Sequence, residues 1–287
     1  MKNISIITVA FITVLATSCT SHADEELKIL IGGDVMLDRG IGRVIDRHGV
    51  NYLFNGIRDD IKSADATIIN LECPLTDTLI PQRKQFQFIA SPFLADSLLK
   101  IGVTHACLEN NHTRDQGELG YKQTLESLSR AGIVVVNPDP FTPTKIVKGQ
   151  NKIVLFNANL LGNSLSIKSQ LIKAIEGYKT INVEAKTVVI LHWGNEHETT
   201  HNQSQEAIAK LLASAGADVV VGHHPHVVQD TICLGNCAVY YSLGNLIFDQ
   251  NKMAGFKSSL LEITLKNGDL KTSLHELKIL HYRPMHK

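Results

Sequence analysis

GADVVVGHHPHVVQ, Gly216 to Gln229, sets three histidines within four positions directly after a run of valines. Short, apolar and β-branched, the valines suit a strand covered on both faces. Imidazoles are costly to bury without partners, so His223, His224 and His226 must serve something at the end of that strand. The same design recurs along the chain. LKILIGGD ends in Asp34, DATIINLE in Glu72, THACLENNH in Asn111 and His112, and TVVILH in His192. Beyond the carboxyl ends of strands lies the usual ligand crevice of an open α/β sheet. Each residue alone has an ordinary reading. Asp34 suits an N-cap for a helix beginning near Arg39, Glu72 a solvated loop carboxylate, Asn111 a turn, and His192 a hydrogen-bonded core histidine. Five strands ending in carboxylates, amide and imidazoles are not explained by caps and turns.

Between the strands, NYLFNGIRDDIKSA, ELGYKQTLESLSRAG and NQSQEAIAKLLASAG carry helical periodicity, and the last two end in Ala-Gly, as helices with a left-handed cap do. After Val227 the pattern becomes hairpin-like, with KNGD supplying an Asn-Gly turn. Alternating strands and helices predict a layered α/β domain. No repeat or Pro/Ser linker divides it, so one domain is expected.

The chain has 287 residues, 28 basic and 28 acidic. That balance gives no general attraction to nucleic acid or to an anionic membrane, so an anionic substrate must be held by a local site. Thirteen histidines are the one compositional excess and point to metal or acid–base chemistry. Residues 1–23 read as an export signal: one early lysine, an apolar run from Ile4 to Ala16 too short to span a bilayer, and Ser21-His22-Ala23 as a cleavage site. Lipoprotein processing at Cys19 within LATSC is the rival reading, with a lipid anchor there as the one membrane contact. Either way the protein is expected outside the cytoplasm, in the periplasm or cell envelope. In that oxidising setting Cys233 and Cys237, flanking the turn-like LGN, form a candidate hairpin disulfide, with two free thiols as the alternative.

The polar set has a chemical logic. A carboxylate bridges two divalent ions, His and Asn fill further positions, and water completes each shell. A mixed N/O set without thiolate favours Mn, Fe or Zn over Mg or Ca. Arg39 and Arg43, just after Asp34, suit a clamp on a phosphate or carboxylate, with a solvated helix face as the alternative for Arg43. Trp193, the one tryptophan, reads as wall rather than catalyst.

In order, GGDVML, INLECPLT, ENNHTRDQGELG, LHWGNEHE, GADVVVGHHPHVVQ and YSLGNLIFDQ resemble the blocks of the CapA-type capsule-synthesis family. These poly-γ-glutamate capsule proteins are placed among the calcineurin-like metallophosphatases. The resemblance runs from Leu27 to Tyr282, leaving 283–287 as a tail. It implies a single-domain, four-layer αββα sandwich. It also implies one or two divalent metal ions on Asp34, Glu72, Asn111, His192, His224 and His226. By the same resemblance His112 is the transition-state acid, Asp115 orients it, and Glu196 lies on the substrate side. His223 falls on a glycine position and is demoted to a neighbour. One departure stands out: Met36 occupies the place of a histidine ligand. The implied function is a metal-dependent phosphoesterase-like site in capsule or poly-γ-glutamate biosynthesis, working on a phosphoester or a poly-γ-glutamate-like polymer beside other capsule-machinery proteins. A non-catalytic module that keeps the fold and handles ligand or polymer is the alternative.

Overall fold

The apolar segments pair into two sheets in a computed structural model that describes residues 25–137, 141–162, 165–250 and 256–287. The export signal and Cys19 lie outside the described residues. In chain order the first strands are β1 (Leu27–Val35), β2 (Ala66–Leu71), β3 (His105–Cys107), β4 (Val134–Val135), β5 (Thr144–Lys148), β6 (Asn151–Asn159) and β7 (Lys186–His192). They are followed by β8 (Val219–His223), β9 (Thr231–Leu234), β10 (Cys237–Tyr240), β11 (Asn245–Ile247), β12 (Lys257–Lys266), β13 (Asp269–Leu280) and β14 (Arg283–His286). The helices are α1 (Arg39–His48), α2 (Val50–Phe54), α3 (Arg58–Ser63), α4 (Leu94–Ile101), α5 (Gly117–Ala131), α6 (Leu165–Ile181) and α7 (Gln203–Ser214). The first sheet runs β14-β13-β12-β1-β2-β3-β4, with β11 also beside β1; the second runs β5-β6-β7-β8-β10-β9.

Side-chain alternation builds the layers. Ile29 and Ile31 of β1 face Val219 and Val221 of β8 in a core between the sheets, together with Ile153, Val188 and Leu261. Their neighbours point the other way. Leu30 joins Ile41, Leu53, Leu98 and Leu128 under α1 to α5, and Val220 joins Leu171, Ile175 and Leu212 under α6 and α7. Helices, sheet, sheet and helices are the expected four layers, and both faces of the valine run are covered. At about 25 cal/mol per Å² of apolar area, strands buried on both faces anchor the loops at their ends. No helix among the described residues is long and apolar enough to cross a membrane.

Local structure departs from the sequence pattern at several points. NYLFNGIRDDIKSA is interrupted by a 3₁₀ turn, Asn55–Ile57. A side chain at Gly56 would meet the Pro284 carbonyl at 2.2 Å, so glycine there lets the turn pack against β14. α6, not expected, buries only Leu171 and Ile175, a stripe too narrow to register as a period. The cap of α1 is Asp38, whose Oδ1 accepts from Arg39 N at 2.6 Å, and not Asp34. Cys233 and Cys237 are free thiols. In the β9–β10 hairpin Cys237 opposes Leu234 and Cys233 opposes Ala238. That one-residue offset sends the two side chains to opposite faces: Cys237 is buried and Cys233 exposed. The disulfide expectation fails on register.

Candidate metal centre

Asp34 closes β1, Glu72 follows β2, and Asn110, Asn111 and His112 form the turn after β3. From the second sheet, His192 closes β7 and His223 closes β8, with His224 and His226 in the next turn. The carboxyl ends of both sheets therefore converge. Two glycines let the segment 241–244 run close against β1 and β8. A Cβ on Gly33 would lie 2.0 Å from the Gly244 carbonyl, and one on Gly222 would lie 1.9 Å from the Tyr241 carbonyl. Trp193 packs in the core under α6 and α7 and donates Nε1–H to the Tyr241 carbonyl at 2.9 Å, as a wall residue.

The centre itself is buried. Asp34 Oδ2 stands 3.0 Å from His226 Nδ1, and His192 Nε2 stands 2.9 Å from Asn111 Oδ1. Two groups of side chains offer ligand atoms all within 4.8 Å of one another: Asp34, Glu72 and His226, and Glu196, His224 and His226. Glu196, expected on the substrate side, is thus also a candidate ligand. His224 and His226 carry φ of 97° and 58°. A non-glycine residue rarely adopts that left-handed region, and such strain gathers at working sites.

Electrostatics test whether a cation fits. Burial raises the Glu72 carboxyl well above its usual range, and the adjacent Asp34 carboxylate raises it further. For Asp34 burial acts in the same direction, but the hydrogen bond to His226 and the charge of that ring outweigh it and hold the group low. Two carboxylates in one dry site cannot both ionise without positive charge between them. Burial pushes His224 down to about 4 and His192 well below its usual value, so both imidazoles are neutral and present lone pairs at neutral pH. Among the buried side-chain atoms without a hydrogen-bond partner are two of the candidate ligands, Glu72 Oε2 and His224 Nδ1. His226 Nε2 is 3.8 Å from Glu72 Oε2, beyond hydrogen-bond reach. Buried, unpartnered carboxylate and imidazole atoms beside the neutral His192 and His224 rings fit a divalent ion.

Beside the centre, His112 Nδ1 lies 2.8 Å from Asp115 Oδ2. A carboxylate only accepts, so Nδ1 carries a hydrogen, and in the neutral ring Nε2 has the lone pair. Burial lowers the His112 pKa, against the pull of Asp115. Asp115 is held by the Phe88 amide at 2.8 Å and by an ion pair with Lys84, which also donates to the Asn111 carbonyl at 2.6 Å. A cavity of about 520 Å³ opens here, lined by Arg39, Phe86, Phe88, Glu196, Phe248 and Asp249 among others. Arg39 is paired with Asp249 and lies over the Phe86 and Phe88 rings, which makes it part of the wall. Arg43 is exposed.

Three functional residues were not singled out from sequence. Asn70 donates to Asp34 Oδ1 at 2.9 Å and to Glu72 Oε1 at 2.8 Å, joining the two carboxylates. Its signal was present, because positions two apart along a strand share a face. Asn245 Oδ1 lies 3.0 Å from His226 Nδ1 and fixes that ring. Lys84 lies in a loop with no periodic signal.

The three histidines of the opening stretch separate by contact. His223 Nε2 lies 3.0 Å from the Gly32 carbonyl and ties the two sheets together. Replacing His223 with Ala is expected to cost about 1–3 kcal/mol of stability through the unpaired carbonyl and the cavity, with metal content unchanged. His224→Ala and His226→Ala are expected to lose metal. Equal metal loss in all three variants, measured by elemental analysis, would overturn this ranking.

The sequence model of the bacterial capsule synthesis protein PGA_cap matches residues 28–137 and 139–250. The chain belongs to that family. It is 28% identical over 270 residues to the capsule biosynthesis protein CapA of Bacillus anthracis, covering 85% of this chain and 65% of that protein. To the PGA biosynthesis protein CapA of Bacillus subtilis (strain 168) it is 26% identical over 264 residues, covering 86% and 70%. The chain therefore spans about two thirds of the length of these relatives. Among solved structures, purple acid phosphatase PPD1 from yellow lupin seeds is similar with a TM-score of 0.47 at 10% identity, covering 89% of this chain and 52% of that one. In this PGA_cap family member Met36 is fully buried in the core under α1 to α5, its Sδ accepting from Asp38 N at 3.1 Å. The position expected to lack a ligand thus packs away from the centre.

Proposed function

We propose that this protein is an extracytoplasmic, metal-dependent phosphoester hydrolase acting in capsule or poly-γ-glutamate synthesis. The observation that carries the chemistry is the meeting of unpartnered Glu72 Oε2 and His224 Nδ1 with Asp34 and His226 in a buried site open to a cavity beside His112. The setting rests on the printed roles of the Bacillus relatives, both in capsule or PGA biosynthesis. Asp34, Glu72, Asn111, His192, His224 and His226 would hold one or two divalent ions, Mn, Fe or Zn, with Glu196 as a further carboxylate. Such ions supply Lewis acidity and hydroxide at neutral pH. The reaction balances with water alone: a phosphorus–oxygen bond to water forms, the bond to the alcohol oxygen breaks, and a proton passes to the alcohol.

His112 is placed for that proton. With Nδ1 committed to Asp115, Nε2 of the neutral ring accepts a proton, as a phosphate monoanion can supply, and then returns it to the leaving oxygen. Asp115 holds the ring's tautomer and stabilises its charged form, and Lys84 and the Phe88 amide hold Asp115. Asn70 keeps the two carboxylates in register.

Elemental analysis of protein purified without chelator, followed by hydrolysis of p-nitrophenyl phosphate with added Mn²⁺ or Zn²⁺, tests this reading. Stoichiometric metal with hydrolysis that chelator abolishes is expected. Protein that binds no divalent ion overturns it. Stoichiometric metal with no hydrolysis of any ester points instead to a ligand- or polymer-handling module on the same fold.

A further inference from the structure

The walls of the cavity specify more than the metal centre does. Phe88 lies against His112 with ring centroids 4.2 Å apart, and Phe248 against His226 at 4.6 Å. The two phenyl rings meet edge to face at 6.1 Å. An apolar surface therefore begins directly at the reacting centre, where the group attached to the phosphate must lie. It continues outward: the Arg39 guanidinium bridges from Phe88, 5.2 Å from the ring centre, to Phe86 at 5.5 Å. Phe86 is 48% exposed, an aromatic ring held at the mouth rather than folded into the core.

Charge argues in the same direction. Among the described residues that line the cavity, Arg39 is the one arginine or lysine, and Asp249 neutralises it. Nearby Lys84 is neutralised by Asp115. Glu196 adds a further carboxylate to the lining. Beyond the metal centre, a polycarboxylate threaded through this opening would find no lysine or arginine of the lining left to pair with its repeated carboxylates, and its chain would lie against phenyl rings.

We infer that the cavity recognises a phosphate ester of an apolar alcohol, aryl or alkyl. Its head lies at the metal centre and its apolar group along Phe88, Phe248 and Phe86, and a free polycarboxylate chain is excluded. This rests on the hydrolase reading and narrows its substrate to one anionic head on an apolar body. Phe86 is the specificity-determining side chain, since its exposed ring adds apolar contact without supporting the fold.

Calorimetric titration of the full chain loaded with Mn²⁺ tests the inference through uncleavable ligands, independently of turnover. Phenylphosphonate is expected to bind at least about tenfold more tightly than methylphosphonate, the discrimination typical of an apolar pocket. Phe86→Ala should shrink that ratio several-fold and Phe86→Leu restore most of it, with methylphosphonate affinity unchanged in both. A γ-linked glutamate oligomer should bind more weakly than methylphosphonate. A ratio near one, a ratio indifferent to Phe86→Ala, or tightest binding by the oligomer overturns the apolar assignment while leaving the hydrolase reading standing. Failure of the loaded protein to bind either phosphonate overturns both.

Discussion

Glu72→Gln is expected to empty the metal centre and to lower phosphoester hydrolysis by at least about 10²- to 10³-fold, the range for removing one preorganised electrostatic group. The substitution keeps size and shape but replaces an acceptor with an amide whose NH₂ end repels a cation. Glu72 is fully buried, reaches between Asn70 and His226, and has its Oε2 without a hydrogen-bond partner. Stability separates this effect from misfolding. In the wild-type protein, bound metal stabilises the folded state by mass action, so chelator should lower Tm. In Glu72→Gln, chelator should have no effect. Because burial and the Asp34 carboxylate both disfavour an ionised Glu72 in the metal-free protein, the variant's Tm should be no lower than that of chelated wild type. Retained metal and rate, or a fall in Tm below chelated wild type, would sink the assignment of Glu72 as a ligand.

His112→Asn is expected to act on rate alone. Loss of a positioned general acid–base group costs about 10²- to 10⁴-fold in kcat, while metal content stays at the wild-type level because the ligand side chains are untouched. The asparagine keeps a polar group against Phe88 but cannot deliver a proton to the leaving oxygen. Asp115→Asn should follow with a smaller loss, about 10- to 100-fold, as expected for a group that orients another. A parallel measurement of metal content and kcat decides the matter. If His112→Asn loses metal in proportion to rate, the ring is a ligand or a support and not the proton carrier.

These two variants bear on different levels of the same sequence. Glu72 was visible because it ends an apolar strand, and so were Asp34, His192, His224 and His226. The role of His112 was implied by family likeness, and the contacts that give it a tautomer appear only in the fold. Asp115 lies three residues away in sequence, yet Lys84 and the Phe88 amide, which fix Asp115, come from a separate loop.

By itself the sequence determined the layers and the residues carried to their edge. Valine runs buried on both faces can only be central strands, and a polar residue at the end of such a strand has one place to go. Tertiary structure alone decided the pairings across long separations. Arg39 meets Asp249, 210 residues away, and becomes cavity wall rather than phosphate clamp. The β9–β10 register parts Cys233 from Cys237. Asn70 and Asn245 take up Asp34, Glu72 and His226 only because β2 and β11 flank β1. Strand periodicity is a local property written into neighbouring residues. Register and charge pairing between distant segments are settled only when the two sheets close on each other.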